Sequence, residues 1–137
     1  MGKERFAGSL VNPEFSLDDA KSYKCELVER HAKTLRDRLT SNLSKGELSS
    51  WPIKREEARQ WEMLREQGEC AILRAEAFER GISMDEMVAK VKGNAALFGN
   101  LEAGIAGVSG RHRDAIRALP DFDAVADYDF SAGWPEV

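Results

Sequence analysis

The chain has 137 residues, of which 42% are hydrophobic and 32% charged, values typical of an ordinary globular protein rather than a disordered or fibrous one. This length predicts a single domain with a proper core. No stretch approaches the ~20 consecutive apolar residues of a membrane-spanning helix, and the first residues lack a signal peptide's apolar run, so we expect a soluble, intracellular protein without a membrane partner.

The first predicted element is a long helix at Leu17–Leu43, which follows an amino-terminal arm at residues 1–16. Ser16 can cap this helix, and two aspartates fall in its first turn, where the helix dipole favours negative charge. Apolar residues recur at steps of three and four, at Val28, Ala32, Leu35, Leu39 and Leu43. This spacing predicts one arm of a helical hairpin.

The middle of the chain predicts two shorter helices. Residues 44–50 break the apolar pattern, and Pro52 is then expected in a first helical turn, ahead of the helix-favouring run Lys54–Gln67. A second helical run, Glu69–Arg80, closes at Gly81.

A long helix is predicted at Met84–Leu119. Ser83 and Glu86 have the spacing of a capping box at its start, and Pro120 stops it. Five glycines lie within it, and each costs about 1 kcal/mol relative to alanine. The favoured interpretation is that their small size permits close packing against Leu17–Leu43; the alternative is a kink or two shorter helices near Gly104–Gly110.

The carboxyl-terminal tail, residues 120–137, combines acidic and aromatic residues. From Ala118 to Val137 there are five acids and no base, whereas the other 19 acids and the 20 bases leave the rest of the chain at a net charge of +1. The prediction is therefore an all-α single domain over residues 1–137. It comprises a long helical hairpin with shorter packed helices in a body at residues 17–119, followed by this tail.

Catalytic and metal-binding motifs are not recognisable in the sequence. His31 is expected at the boundary of the first apolar stripe, and His112, between two arginines, is expected in solvent. Cys25 and Cys70 are expected to be half-buried apolar residues, far from other metal ligands. There is no nucleophile–base frame, phosphate loop or metal-ligand spacing. We expect no enzyme, no cofactor and no metal.

A helix-turn-helix interpretation of Ala75–Met87 is the least favoured alternative. The second helix would present Asp85 and Glu86 to DNA phosphates, which would repel them, and the chain lacks a concentrated excess of base. We therefore expect no nucleic-acid partner.

Protein binding is the favoured function. Tryptophan and tyrosine are common interface anchors, and the chain has two Trp-Pro pairs and an aromatic tail. The predicted partner-binding residues are Trp134, Phe130, Tyr128 and Trp51. The sequence leaves open whether the tail contacts a partner, folds back on its own helices, or does both.

Three stretches together resemble a family of small phage tail proteins grouped with tail-fibre assembly proteins. They are the helix Leu17–Leu43 leading into Trp51–Trp61, the segment Ala77–Lys92 with the glycine-interrupted helix after it, and the terminal Asp127–Pro135. One departure is the short link Glu66–Cys70, where a longer loop containing proline and threonine is expected, which leaves the local geometry of the link open.

The resemblance implies a non-enzymatic protein that assists tail-fibre assembly as a chaperone or accessory. Its partner would be a phage tail fibre or another tail protein, with self-association as a further option. It would act in the host cytoplasm during phage assembly, and either leave or stay in the virion tail. The alternative is a structural component of the tail or baseplate.

Overall fold

The computed structural model describes residues 15–137, so the predicted amino-terminal arm lies outside the described residues except for its last two. The helices are α1 (Leu17–Leu39), α2 (Lys45–Leu64), α3 (Ala71–Arg80), α4 (Met84–Arg117) and α5 (Phe122–Asp127), with a 3-10 turn at Arg65–Gln67. Within these residues the chain is mostly helical and contains no strand, which confirms the all-α prediction there. No helix in residues 15–137 combines the length and apolar character needed to cross a membrane.

The start of α2 differs from the prediction. The helix begins at Lys45, and the Ser44 hydroxyl accepts a hydrogen bond from the backbone N–H of Glu47 at 3.0 Å. Pro52 therefore lies inside the helix and not in its first turn, so the expected start at Pro52 is wrong. Ser44 and Glu47 have the same three-residue spacing as the capping box at Ser83, a signal that the prediction treated as a break.

The two long helices agree with the prediction more closely. α4 begins at Met84, where the Ser83 hydroxyl accepts from the backbone N–H of Glu86 at 3.1 Å, as the capping box predicts. It runs without interruption to Arg117, so the alternative of two shorter helices is wrong. α1 ends at Leu39, four residues before the predicted end at Leu43.

The glycines of α4 do not pack closely against α1, contrary to the favoured interpretation. A methyl group added at Gly93, Gly99 or Gly107 would meet no heavy atom within 4 Å, and one at Gly110 would meet only the guanidinium of Arg113 at 3.9 Å. Gly104 alone has a close neighbour, the Pro135 ring of the tail. Within unit 1, α1 and the second part of α4 meet instead through buried side chains such as those of Leu35 and Ile105.

The chain forms two compact units. Unit 1 comprises residues 1–39 and 101–137, of which residues 15–39 and 101–137 are described, and unit 2 comprises residues 40–100. α4 contributes its first part to unit 2 and the rest to unit 1. The prediction of one domain over the whole chain stays a prediction.

The core of unit 1 joins α1, the second part of α4 and α5. Its buried residues form two clusters, Ala20, Cys25, Val28, Ile116, Val125 and Ala126 in one, and Ala32, Leu35 and Ile105 in the other. The predicted apolar stripe of α1 contributes Val28, Ala32 and Leu35 to these clusters.

The core of unit 2 joins α2, α3 and the first part of α4, and its buried members are Ala58, Trp61, Cys70, Leu73, Ala77, Met87 and Val88. The short link before α3 is held by side chains. Arg74 donates to the carbonyl oxygens of Gly68 at 2.8 Å and Glu69 at 2.9 Å, and Glu57 accepts from the backbone N–H of Leu73 at 2.9 Å. These bonds satisfy polar backbone groups at the start of α3.

Candidate functional site

Three of the four predicted partner-binding residues lie together in unit 1. Tyr128, Phe130 and Trp134 are half-buried and pack against the core cluster of α1, α4 and α5. The Trp134 indole N–H donates to the carbonyl oxygen of Phe130 at 2.6 Å, and its ring meets that of His31 edge-on at 4.8 Å between centroids. In the structure, the tail thus folds back on its own helices. His31 lies at the predicted boundary position.

His112 is buried, with 5% of its surface exposed, so the expectation that it faces solvent is wrong. Its Nε2 lies 2.9 Å from the carbonyl oxygen of Ala132, and its Nδ1 lies 2.7 Å from the Tyr128 hydroxyl. Because a carbonyl oxygen can only accept, Nε2 carries the proton in the neutral ring and Nδ1 accepts from Tyr128. His112 therefore fastens the tail at two points.

Lys24 is a second residue that holds residues 120–137 against the helices of unit 1, and the sequence analysis does not single it out. Only 2% of its surface is exposed, and its ammonium group donates to the carbonyl oxygen of Ala126 at 3.0 Å, in the last turn of α5. A cation is favourable at a helix carboxyl terminus, which helps to offset the cost of burying it. The spacing of four residues between Ala20, Lys24 and Val28 is the signal that places Lys24 on the buried face of α1.

Trp51, the fourth predicted residue, belongs to unit 2. Its ring meets that of Phe98 edge-on, with 4.6 Å between centroids, and it lines an open groove of about 340 Å³. This volume lies at the small end of the range of about 300–1,000 Å³ that is typical of ligand sites. The groove is lined by Trp51, Lys54, Arg55, Glu76, Arg80, Met87, Lys90, Val91, Gly93, Asn94 and Ala95.

Basic residues outnumber acidic residues in this groove. Glu76 is its one acid, and it pairs with Lys54 at 2.6 Å and with Arg80 at 3.2 Å. The hydrogen bond from Lys54 lowers the pKa of the Glu76 carboxyl below its usual value, so the carboxylate stays charged at neutral pH. Arg55 and Lys90 also line the groove, and neither has an ion pair with another residue of the range 15–137.

Large apolar side chains are exposed mainly in unit 2. Of the ten large hydrophobic residues that are exposed within the described part of the chain, seven lie between residues 40 and 100. Phe78 is 81% exposed, Met63 69% and Leu97 56%. Single exposed apolar residues are normal, so these values identify unit 2 as the part of the described chain in which most of them lie.

Among the described residues, the cysteines and the possible groups of metal ligands are the features that bear on reactive chemistry. Burial raises the pKa of both the Cys25 and the Cys70 thiol, so at neutral pH they are the protonated, weakly nucleophilic form. Among residues 15–137, no group of three or more His, Cys, Asp or Glu side chains is arranged to hold a metal ion.

Comparisons with protein-family models, with curated proteins and with solved structures find no match to this chain. The resemblance to phage tail-fibre assembly proteins therefore stays an expectation based on the sequence stretches described above.

Proposed function

We propose that this protein is a non-enzymatic, protein-binding accessory of phage tail assembly, acting as a chaperone for a tail fibre or another tail protein in the host cytoplasm. The observation that carries the proposal is the number of exposed apolar side chains in unit 2, among them Phe78 and Leu97, together with the open groove of Trp51 in the same unit. The sequence resemblance supplies the biological setting.

Exposed apolar surface suits a chaperone because it can cover the apolar surface of an unassembled partner until that surface is buried in the fibre trimer. Phe78 supports such a role because a phenylalanine that is 81% exposed gains little for folding from its own chain. A partner that covered this ring would remove apolar area from water, which is the main favourable term in protein association.

The predicted partner-binding residues divide into two groups under this proposal. Trp51 contributes directly to the partner surface of unit 2, because it lines the open groove. Tyr128, Phe130 and Trp134 are half-buried against their own unit, and we assign them to holding the tail in place.

Co-expression with a phage tail-fibre protein tests the proposal. We expect the wild type to raise the yield of soluble fibre trimer, and Phe78→Ser to reduce that effect because it removes exposed apolar area from α3. Glu79→Ser is the matched control, since it also replaces an exposed side chain of α3 by serine. An unchanged trimer yield in the absence of the wild-type protein would contradict the proposal, whereas stoichiometric presence in purified particles would identify a structural component instead.

A further inference from the structure

We propose that the groove beside Trp51 binds an acidic segment of a protein partner, in which an apolar side chain lies between carboxylates. This inference rests on the proposed protein-binding function and adds the location of the contact and the chemistry of the occupant.

The apolar part of the groove is preformed. Met87 is buried in the core of unit 2, and Val91, one turn further along α4, is half-buried against the same core. The ring contact with Phe98 orients the Trp51 indole. Gly93 leaves open space where any other residue would place a side chain. These four features provide a fixed apolar surface at which an incoming side chain would lose water contact without rearranging the protein.

The bases of the groove fall into two pairs. Lys54 and Arg80 are both bound to Glu76, and this arrangement fixes their positions. Arg55 and Lys90 line the same groove without an ion-pair partner among residues 15–137. An occupant that brings two carboxylates would balance these two charges, whereas a basic occupant would be repelled.

A nucleic acid fits these observations less well than an acidic peptide. A polyanion needs a continuous basic track, because phosphate contacts supply most of its affinity. In the same unit, a second groove is lined by Glu56, Glu57 and Glu69, and the chain as a whole has a net charge of −4. A short acidic peptide, in contrast, needs only the groove of Trp51, in which four bases face one acid.

The test measures binding of short, blocked synthetic peptides to the full chain by isothermal titration calorimetry, with NMR to map the site. The acidic peptide alternates aspartate with leucine and phenylalanine, and a matched peptide has asparagine in place of each aspartate. We expect the acidic peptide to bind more tightly, to weaken with added salt, and to shift the amide resonances of Trp51, Lys90 and Val91.

The double variant Arg55→Gln with Lys90→Gln should weaken binding of the acidic peptide about fivefold to tenfold, because two partly exposed ion pairs are lost. The matched control is Lys45→Gln with Arg117→Gln, which removes two exposed bases outside the groove and should leave the affinity unchanged. Equal affinity for the two peptides, equal weakening by the two double variants, or tighter binding of a short RNA at the groove would overturn the inference.

The co-expression assay separates failure of this inference from failure of the proposed function. If the wild type and the Arg55→Gln, Lys90→Gln variant solubilise the fibre equally and the acidic peptide does not bind, the groove inference is wrong and the proposed function stands. If the acidic peptide binds in the groove while the wild type has no effect on the fibre, the proposed function is wrong and the groove chemistry stands.

Discussion

His112 is the residue that most directly connects the tail of unit 1 to its helices. Both ring nitrogens have partners on the tail, the Tyr128 hydroxyl and the carbonyl oxygen of Ala132. Such a ring is satisfied only while the tail stays in place, because a buried nitrogen without a partner costs free energy. The contact therefore couples the position of the tail to the stability of unit 1.

Tyr128→Phe removes the hydroxyl that donates to Nδ1 of His112 and should lower the free energy of unfolding by about 1–3 kcal/mol. Urea denaturation followed by far-UV circular dichroism measures this change. In a His112→Ala background the same substitution should cost much less, because the acceptor is no longer present.

Nitrogen NMR provides an independent check on the same bond. In the wild-type spectrum, the neutral form of His112 should carry its proton on Nε2 and none on Nδ1, with His31, the other histidine of the chain, as the reference. If Tyr128→Phe has the same cost in both backgrounds, the proposed bond makes no contribution to stability.

The sequence indicates the burial of Lys24 but not that of His112. Lys24 lies four residues from both Ala20 and Val28, so its place on the buried face of α1 follows from helix geometry. His112 has an arginine on each side, which favours a solvent position when only neighbours in sequence are considered. Its burial depends on the tail returning to α4, a contact that local sequence does not indicate.

At the scale of the element, the glycines of α4 have unequal roles. A methyl group at Gly104 would lie 2.8 Å from Cγ of Pro135, whereas one at Gly107 would meet nothing within 4 Å. Both are glycines of one helix, three residues apart, so their intrinsic effect on helix stability is similar. Comparing alanine substitutions at the two positions therefore measures the effect of the contact between Gly104 and the Pro135 ring.

Gly107→Ala should raise the free energy of unfolding by about 0.5–1 kcal/mol, since alanine is the better helix former and the added methyl group has room. Gly104→Ala should instead lower it, because the overlap with the Pro135 ring costs about 1–3 kcal/mol, more than the gain in helix propensity. Thermal or urea unfolding of the two variants measures the difference. Equal stabilisation by both substitutions would show that the Pro135 ring does not pack on Gly104.

Capping signals in the sequence predict where a helix begins, but a proline further along the chain can obscure them. The box at Ser83 predicts the start of α4, whereas at Ser44, which has the same spacing, Pro52 favours a later start that the structure does not show. Proline inside a helix removes one backbone hydrogen bond, and the structure accommodates Pro52 well within α2. The cap at Ser44 offsets part of that loss.

At the scale of the whole molecule, the all-α class followed from helical periodicity, but the division into two units did not. The periodicity of α4 gives its buried face without indicating that its first part packs in unit 2 and its second part in unit 1. The groove of Trp51 needs residues from α2, α3 and α4 together. Of its members, the sequence singled out only Trp51.

Hydrogen–deuterium exchange on the complex obtained by co-expression with the tail-fibre protein tests the central claim, that unit 2 provides the partner surface. We expect exchange to slow in α2, in α3 and in residues 84–98 relative to the free protein, while residues 128–134, already packed in unit 1, stay unchanged. Slower exchange confined to residues 120–137, with unit 2 unaffected, would contradict the account and return the partner surface to the aromatic tail.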